Sequence, residues 1–561
     1  MFRPAAGEAF DLGHSLGILP EVASVLVRRG ITDAAAAQNF LEPRLADLRD
    51  PYLMKGMEAA VVRITQAVEA GQRVTIFADY DVDGVTSAAI MLELLGALGL
   101  RPECVLPDRL SEGYGLTDAA LSRVLATRPD LLITLDCGIS DSERIIRAAE
   151  AGIDTIVVDH HEVPAGRFYA VAVINPKQPG CEFPFKAMAA VGLAFYLACA
   201  VRTRMAGRPE LPTPQDWLDL VALGTIADLA PLKEENRIMA KAGLRCLETT
   251  KRLGLARLKA VSRCTGAVSS ADVGFRLGPR LNAAGRMGDA VRALRLLLTT
   301  DLAEATQLAT ELDGQNTQRQ AIEAATQEEC RLMIDGAGPP GFSLLVYSEG
   351  WHPGILGIVA SRLAEHYWRP TIVMAEENGF WRGSARSIKG LHLFEALRAC
   401  EHLLERYGGH RQAAGMLVKD ENLNTFREVF DAYCAGCLSA EDLRPAIELD
   451  MELPLERVNF RLAEELAALE PHGIGNPRPL FAAAGLTPLS WSQMKETHLK
   501  ASFFGCNGIR FEAVGFGLWT EQPATAVDVA FQPEINTWRG TRGLRLNIRA
   551  IRRAGDNGVV E

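Results

Sequence analysis

The chain has 561 residues, of which 48% are hydrophobic and 23% charged, and a formal net charge of -11. That length excludes a single hydrophobic core and calls for roughly three or four domains. The acidic balance does not advertise a nucleic-acid binder, yet it does not exclude one, because such binding follows local rather than net charge.

The first residues, M-F-R-P-A-A-G-E-A-F-D, hold no apolar signal region, and the longest apolar run, Val191 to Val201, is too short to span a bilayer. Eleven cysteines lie without framework spacing, and Cys434 and Cys437 have no second pair to complete a zinc site. A soluble cytoplasmic protein with reduced thiols and no membrane partner is expected.

In chain order, residues 1–50 read as a helical segment with a turn at Gly30. An amphipathic helix over Met57–Val68 then leads to strands at Val74–Ala78, Cys104–Leu106, Leu131–Leu135, Thr155–Val158 and Ala172–Ile174. Helices at Ser87–Leu98 and Ser140–Ala151 fill gaps between them. This alternation predicts a doubly wound parallel α/β sheet over 51–285. Residues 286–336 have the spacing of long connecting helices, with Leu302, Ala305, Leu308 and Leu312 on one stripe. A smaller α/β unit over 337–440 follows, with strands at Ser343–Tyr347 and Thr371–Ala375. Over 441–561, short strands at Leu499–Phe504, Ile509–Gly515, Ala526–Pro533 and Leu544–Ile551 predict a small barrel of the OB type.

In doubly wound sheets, functional residues gather beyond the carboxyl ends of the strands. Here Asp79, Asp81 and Asp83 follow one strand, Asp136 another, and Asp159-His160-His161 a third; Asp228 ends a further apolar run. D-x-D-x-D-G also opens a calcium-binding EF-hand loop, but position twelve would be Ile90 instead of Glu and a strand leads in, so that reading fails. Any one of these acids alone is an ordinary cap or turn residue. Four corresponding positions with a tandem His pair point to a metal site.

A-D-Y-D-V-D-G-V-T-S, L-D-C-G-I-S, V-D-H-H and G-T-I-A-D-L resemble the ordered motifs of the DHH phosphoesterase superfamily. The resemblance extends to P-D-R-L-S-E-G-Y-G-L, G-P-R-L-N-A-A-G-R-M, G-S-A-R-S, G-G-H-R-Q-A-A-G and H-G-I-G-N-P-R-P. It is closest to the superfamily's single-strand-specific 5′→3′ DNA exonucleases of recombination and repair. Ala78 departs from the Gly usual before the first aspartate.

The resemblance implies two divalent ions, Mn²⁺ or Mg²⁺. Such a pair, about 3.5–4 Å apart, neutralises phosphoryl oxygens and generates hydroxide near neutral pH. By similarity, Asp81 serves one ion, Asp83 and Asp228 the other, Asp136 bridges and His160 is a ligand. His161 faces the scissile phosphate, and Asp79 and Asp159 orient ligands from behind; a satisfied His pair at a strand end is the bland alternative. The 337–440 unit becomes a DHHA1 domain facing the metals, and the cleft between them would admit one strand. Arg109, Ser384 and Arg386 are candidates for a terminal 5′-phosphate pocket, although single arginines are often solvated surface. His410 adds a donor, and Arg280 and Asn282 are expected to contact substrate near the metals. Tyr114 stacks a base or packs a turn. Gln315 and Arg319 line a strand channel or simply belong to the connector. Phe503, Phe511, Phe516, Trp519 and Trp538, with Lys495, Lys500, Arg539, Arg542 and Arg545, offer a single-strand surface, most of those aromatics being expected in the core. Single-stranded DNA, a single-strand-binding protein and a helicase are the implied partners. The rivals are a phosphoesterase for small substrates and a metal-free DNA-binding relative.

Overall fold

The structure, a computed structural model, describes residues 6–555 apart from 110–111, 167, 209–210, 288, 506–507, 524 and 539–540. Arg539 and the side chain of Trp538 lie outside the described residues. The first sheet comprises β1 (Val74–Ala78), β2 (Glu103–Val105), β3 (Leu131–Leu135), β4 (Asp154–Val158) and β5 (Ala172–Ile174). All its pairings are parallel, in the order β2-β1-β3-β4-β5. The continuous apolar runs of β1 and β3 are buried throughout, as strands covered by helices on both faces must be. The chain leaves β1 toward β2 on one side and returns to β3 on the other. The connections that follow β1 and β3 therefore leave in opposite directions and open a crevice beyond the strands' carboxyl ends.

The helix after β1 begins at Val82, five residues before the Ser87 start expected from the sequence. Asp81 supplies the reason. As N-cap it accepts bonds from Asp83 N at 2.9 Å and Gly84 N at 3.2 Å, so helix begins inside the acidic cluster. The run ending at Asp228 is also a helix, Leu218–Ala227, buried on every side.

A helix of 35 residues, Leu302–Gly336, joins this domain to the next. At about 1.5 Å per residue it is roughly 50 Å long. Its first half packs on Leu253–Val261, Gly278–Arg286 and Val291–Leu298, and its second half on Leu356–Tyr367. The second sheet contains β6 (Leu344–Ser348), β7 (Thr371–Glu377), β8 (Phe380–Arg386), β9 (Leu404–Gly409) and β10 (Ala413–Lys419) in the order β6-β7-β8-β10-β9. Only β6 and β7 run parallel.

Seven strands form the third sheet: β11 (Met451–Glu452), β12 (Phe481–Leu486), β13 (Pro488–Met494), β14 (His498–Phe504), β15 (Arg510–Gly515), β16 (Val527–Trp538) and β17 (Thr541–Arg553). Their order is β11-β12-β16-β17-β15-β14-β13. Phe503 and Phe511 are buried in its core, whereas Phe516 stands exposed. Arg542 and Arg545 are paired with Glu464 and Glu534.

The N-terminal helices have no core of their own. Leu12, Val22, Val25 and Leu26 share one apolar cluster with Phe481, Phe503 and Phe531, more than 450 residues away. Arg237 of the first domain fastens this union. Its buried guanidinium lies 3.6 Å from the Phe40 ring centroid and donates to the carbonyls of Phe40, Leu469 and Glu470. No single helix among the described residues is long and apolar enough to cross a membrane.

Candidate metal centre and anion pocket

Each acidic residue is held at the end of an element. Asp79 N extends the β1 ladder by donating to Leu135 O at 3.2 Å. Gly84 sits so close behind it that a Cβ would meet Asp79 O at 2.4 Å, which explains a glycine in the first helical turn. Both Asp83 oxygens accept amide bonds of 2.7 Å, from Ala190 and Val191, at the start of the Ala190–Arg204 helix. Asp136, just past β3, adopts φ +62°, a left-handed conformation costly for a residue with a Cβ and concentrated at functional sites.

Three overlapping sets of ligand atoms result, each lying within 4.8 Å: Asp79, Asp81 and Asp136; Asp83, His160 and Asp228; Asp136, His160 and His161. Asp136 belongs to two of the sets. Asp79, expected behind the ligands, stands among the candidate ligand atoms, and its Oδ1 is buried without a partner. Asp159 does lie behind. Its Oδ2 accepts from Ile139 N at 3.0 Å, and its Oδ1 bonds the His161 Nδ1 at 2.7 Å and the His161 amide at 3.0 Å. Asn175, which sequence reasoning missed, donates to His161 O at 2.9 Å and so anchors the His pair.

The electrostatics fit cations. Burial first, and neighbouring carboxylates second, push Asp79, Asp136 and Asp228 well above the usual carboxylate range and Asp83 up to about 7. Burial, then His161, lowers His160 to about 3. His160 Nε2 and Asp136 Oδ1 lie 3.1 Å apart, both buried, without a hydrogen bond. Two lone pairs aimed at one space are what a divalent ion needs, and carboxylate with imidazole suits Mn²⁺ or Mg²⁺. For His161, burial opposes protonation, but the bond to Asp159 and the charges of Asp159, Asp83 and Asp81 together outweigh it, so its pKa is raised.

Around this centre the other candidates separate. Tyr114 donates its hydroxyl to Asp136 O at 3.0 Å and lies 3.1 Å from His161 Nδ1, while the residue is 49% exposed. His410, on the β9–β10 turn, stacks on His161 with centroids 6.2 Å apart, so the second domain reaches the metal centre. Asn282 Oδ1 accepts from Val82 N at 3.1 Å and braces the acidic helix.

Arg280, in the same motif, pairs with Asp313 at 2.8 Å and donates to Arg276 O. Of its two readings, Arg319 takes the connector's: it is buried, bonded to Asn316 and Glu323, and Glu323 also pairs with Arg362 of the second domain. These residues bolt the connector to the Leu356–Tyr367 helix, while Gln315 keeps a buried, unpartnered Oε1.

The residue missed in G-P-R-L-N-A-A-G-R-M is Arg286. It lies four residues after Asn282 and therefore shares its helix face, which Arg280 does not. Periodicity within the motif was the available signal. Arg286 donates to Gly354 O at 3.3 Å, and burial, followed by Arg109, Arg319 and Arg386, lowers it to about 9. Arg386 is lowered by burial and by Arg109, and bonds Ser384 Oγ at 3.3 Å and Ala385 O at 2.8 Å. Arg109 lies 5.1 Å from the ring centroid of Tyr80, between the first two aspartates. Among the described residues none of Arg109, Arg286 and Arg386 pairs with a carboxylate. Crowded, half-buried guanidinium groups without a counter-charge are a candidate site for an anion.

Comparison with known proteins follows the same division. The DHH family N-terminal domain matches residues 73–225, the DHHA1 domain 341–436 and the RecJ OB domain 449–550. The single-stranded-DNA-specific exonuclease RecJ of Bacillus subtilis strain 168 is 38% identical over 556 residues, covering 98% of this chain and 70% of that protein. RecJ of Thermus thermophilus in complex with Mn²⁺ superposes with a TM-score of 0.86 at 32% identity, covering 99% of this chain and 79% of that one. The same protein with Mg²⁺ gives a TM-score of 0.80 at 31% identity, covering 99% and 78%.

Proposed function

The chain belongs to the RecJ family of single-stranded-DNA-specific exonucleases, and from that premise we propose that it removes 5′-mononucleotides from 5′-phosphorylated ends. The observation that carries this polarity is the placement of a carboxylate-free arginine cluster beside the carboxylate and imidazole ligand sets.

Asp79, Asp81 and Asp136 would hold one divalent ion, and Asp83, His160 and Asp228 the other, with Asp136 shared. When bound, such ions neutralise the phosphoryl oxygens and supply the nucleophile near neutral pH. The chain's own groups do the positioning. Asp83 is fixed by two helix amides, and Asp159 holds His161 with a proton to donate to a non-bridging phosphate oxygen. Arg109, Arg286, Ser384 and Arg386 would grip the terminal phosphate, setting the length of the product by their distance from the metals. Tyr114 would stack the terminal base. The strand would come from a helicase and a single-strand-binding protein, the two partner classes this substrate calls for.

The test is product analysis with Mn²⁺ on a single strand bearing a 5′-phosphate, the same strand with a 5′-hydroxyl, its duplex and a dinucleotide. Mononucleotides released in order from the phosphorylated single strand are expected. Equal rates on both ends would remove the arginine pocket from the reading, and release from the dinucleotide alone would favour a small-substrate phosphoesterase.

A further inference from the structure

Beside the metal centre, three large apolar side chains stand in solvent on segments that bracket the Asp228 turn. Leu229 follows Asp228 directly, is 67% exposed and has φ +61°. A left-handed backbone is costly for a residue with a Cβ, and a solvated isobutyl group recovers none of that cost. Phe275 is 82% exposed at the middle of Val273–Leu277, a π-helical turn whose ends are buried. Such turns occur frequently at functional sites. The turn is fastened to the Asp228 helix, since a Cβ on the adjoining Gly278 would lie 3.3 Å from Ala227 Cβ. Ile474 is 54% exposed, and its carbonyl accepts from Leu232 N at 2.8 Å. Segments around residues 229, 275 and 474 thus converge on one turn. A single exposed apolar residue is ordinary, but a converging group marks a binding surface.

We propose that Leu229, Phe275 and Ile474 form an apolar ledge that carries nucleobases of the substrate strand beyond the scissile phosphate, toward the C-terminal β domain. This rests on the exonuclease reading and names a further subsite of it. The occupant follows from continuity. A strand whose phosphate lies at Asp228 must pass its bases over the next surface, and that surface is apolar. Arg276, exposed on the same turn and ion-paired with Asp272 at 3.0 Å, stands ready for the strand's backbone. Stacking on an aromatic face tolerates every base, as stepwise removal of nucleotides demands.

The experiment compares Phe275→Ala and Leu229→Ala with the unsubstituted full chain on a 20-nucleotide single strand and on a dinucleotide. KM for the long strand is expected to rise about tenfold, with a much smaller change on the dinucleotide and rescue by Phe275→Trp. In an Asp136→Ala background, 2-aminopurine placed along the strand should be quenched at one or two adjacent positions, and Phe275→Ala should relieve that quenching. Equal losses on both substrates, or unchanged quenching, would overturn the ledge. So would a marked fall in melting temperature for Phe275→Ala, because it would make the ring structural. Failure of the unsubstituted chain to degrade any single strand would instead overturn the parent reading.

Discussion

Removing the divalent ions should make the first domain lose stability as pH rises from 6.5 to 8. Asp79, Asp83, Asp136 and Asp228 all have folded-state pKa values above their unfolded ones, through burial and then mutual repulsion. An acid shifted upward stabilises the fold while it stays protonated, and that stability is lost as pH climbs through the folded pKa. For Asp83, at about 7 in the fold against its ordinary 3.8, the loss across this window is about 1 kcal/mol. A carboxyl shifted beyond the window loses up to about 2 kcal/mol. His160, lowered to about 3, works in the opposite direction, but only below its ordinary 6.5, outside the window. Asp79, Asp136 and Asp228 add to the Asp83 loss in the same direction, and each kcal/mol corresponds to a few degrees for a domain of this size. Thermal melts in EDTA at pH 6.5 and 8, repeated with Mn²⁺, measure it. With Mn²⁺ the order should reverse, because ligation requires deprotonated groups. An EDTA-treated protein melting as high at pH 8 as at pH 6.5 would refute the crowded-carboxylate argument.

Asp136→Ala removes the residue common to two ligand sets; turnover should fall below detection while single-strand binding by anisotropy persists, and retained nuclease activity contradicts the bridging role. Arg286→Ala should reduce the preference for 5′-phosphorylated over 5′-hydroxyl ends tenfold or more. Arg280→Ala breaks the pair with Asp313 and the bond to Arg276 O and should shift that preference less than twofold, stability changing by about 1 kcal/mol. Gly224→Ala would place a Cβ 2.5 Å from Thr86 Oγ1 and 3.0 Å from Asp83 Oδ1. Overpacking of this kind costs about 1–3 kcal/mol, and calorimetric titration should show weakened Mn²⁺ binding; unchanged affinity and melting would show that the helices part without strain.

What the sequence determined by itself is the alternating strand–helix order and the acids at strand ends, both local in origin. An apolar run of five residues followed by Asp can be read without knowing its neighbours in space, and so can a tandem His pair. Tertiary structure decided what depends on distance and facing. Asp79 became a candidate ligand because β1 and β3 pair side by side and bring Asp136 within reach of it. Arg280 and Arg286, two arginines of one motif, parted because a helix of 3.6 residues per turn sends them to different partners. The N-terminal helices found their core in a barrel more than 450 residues away. Hydrophobic burial has no memory of chain order, so an amphipathic face predicts that it will be covered and leaves its cover to the fold.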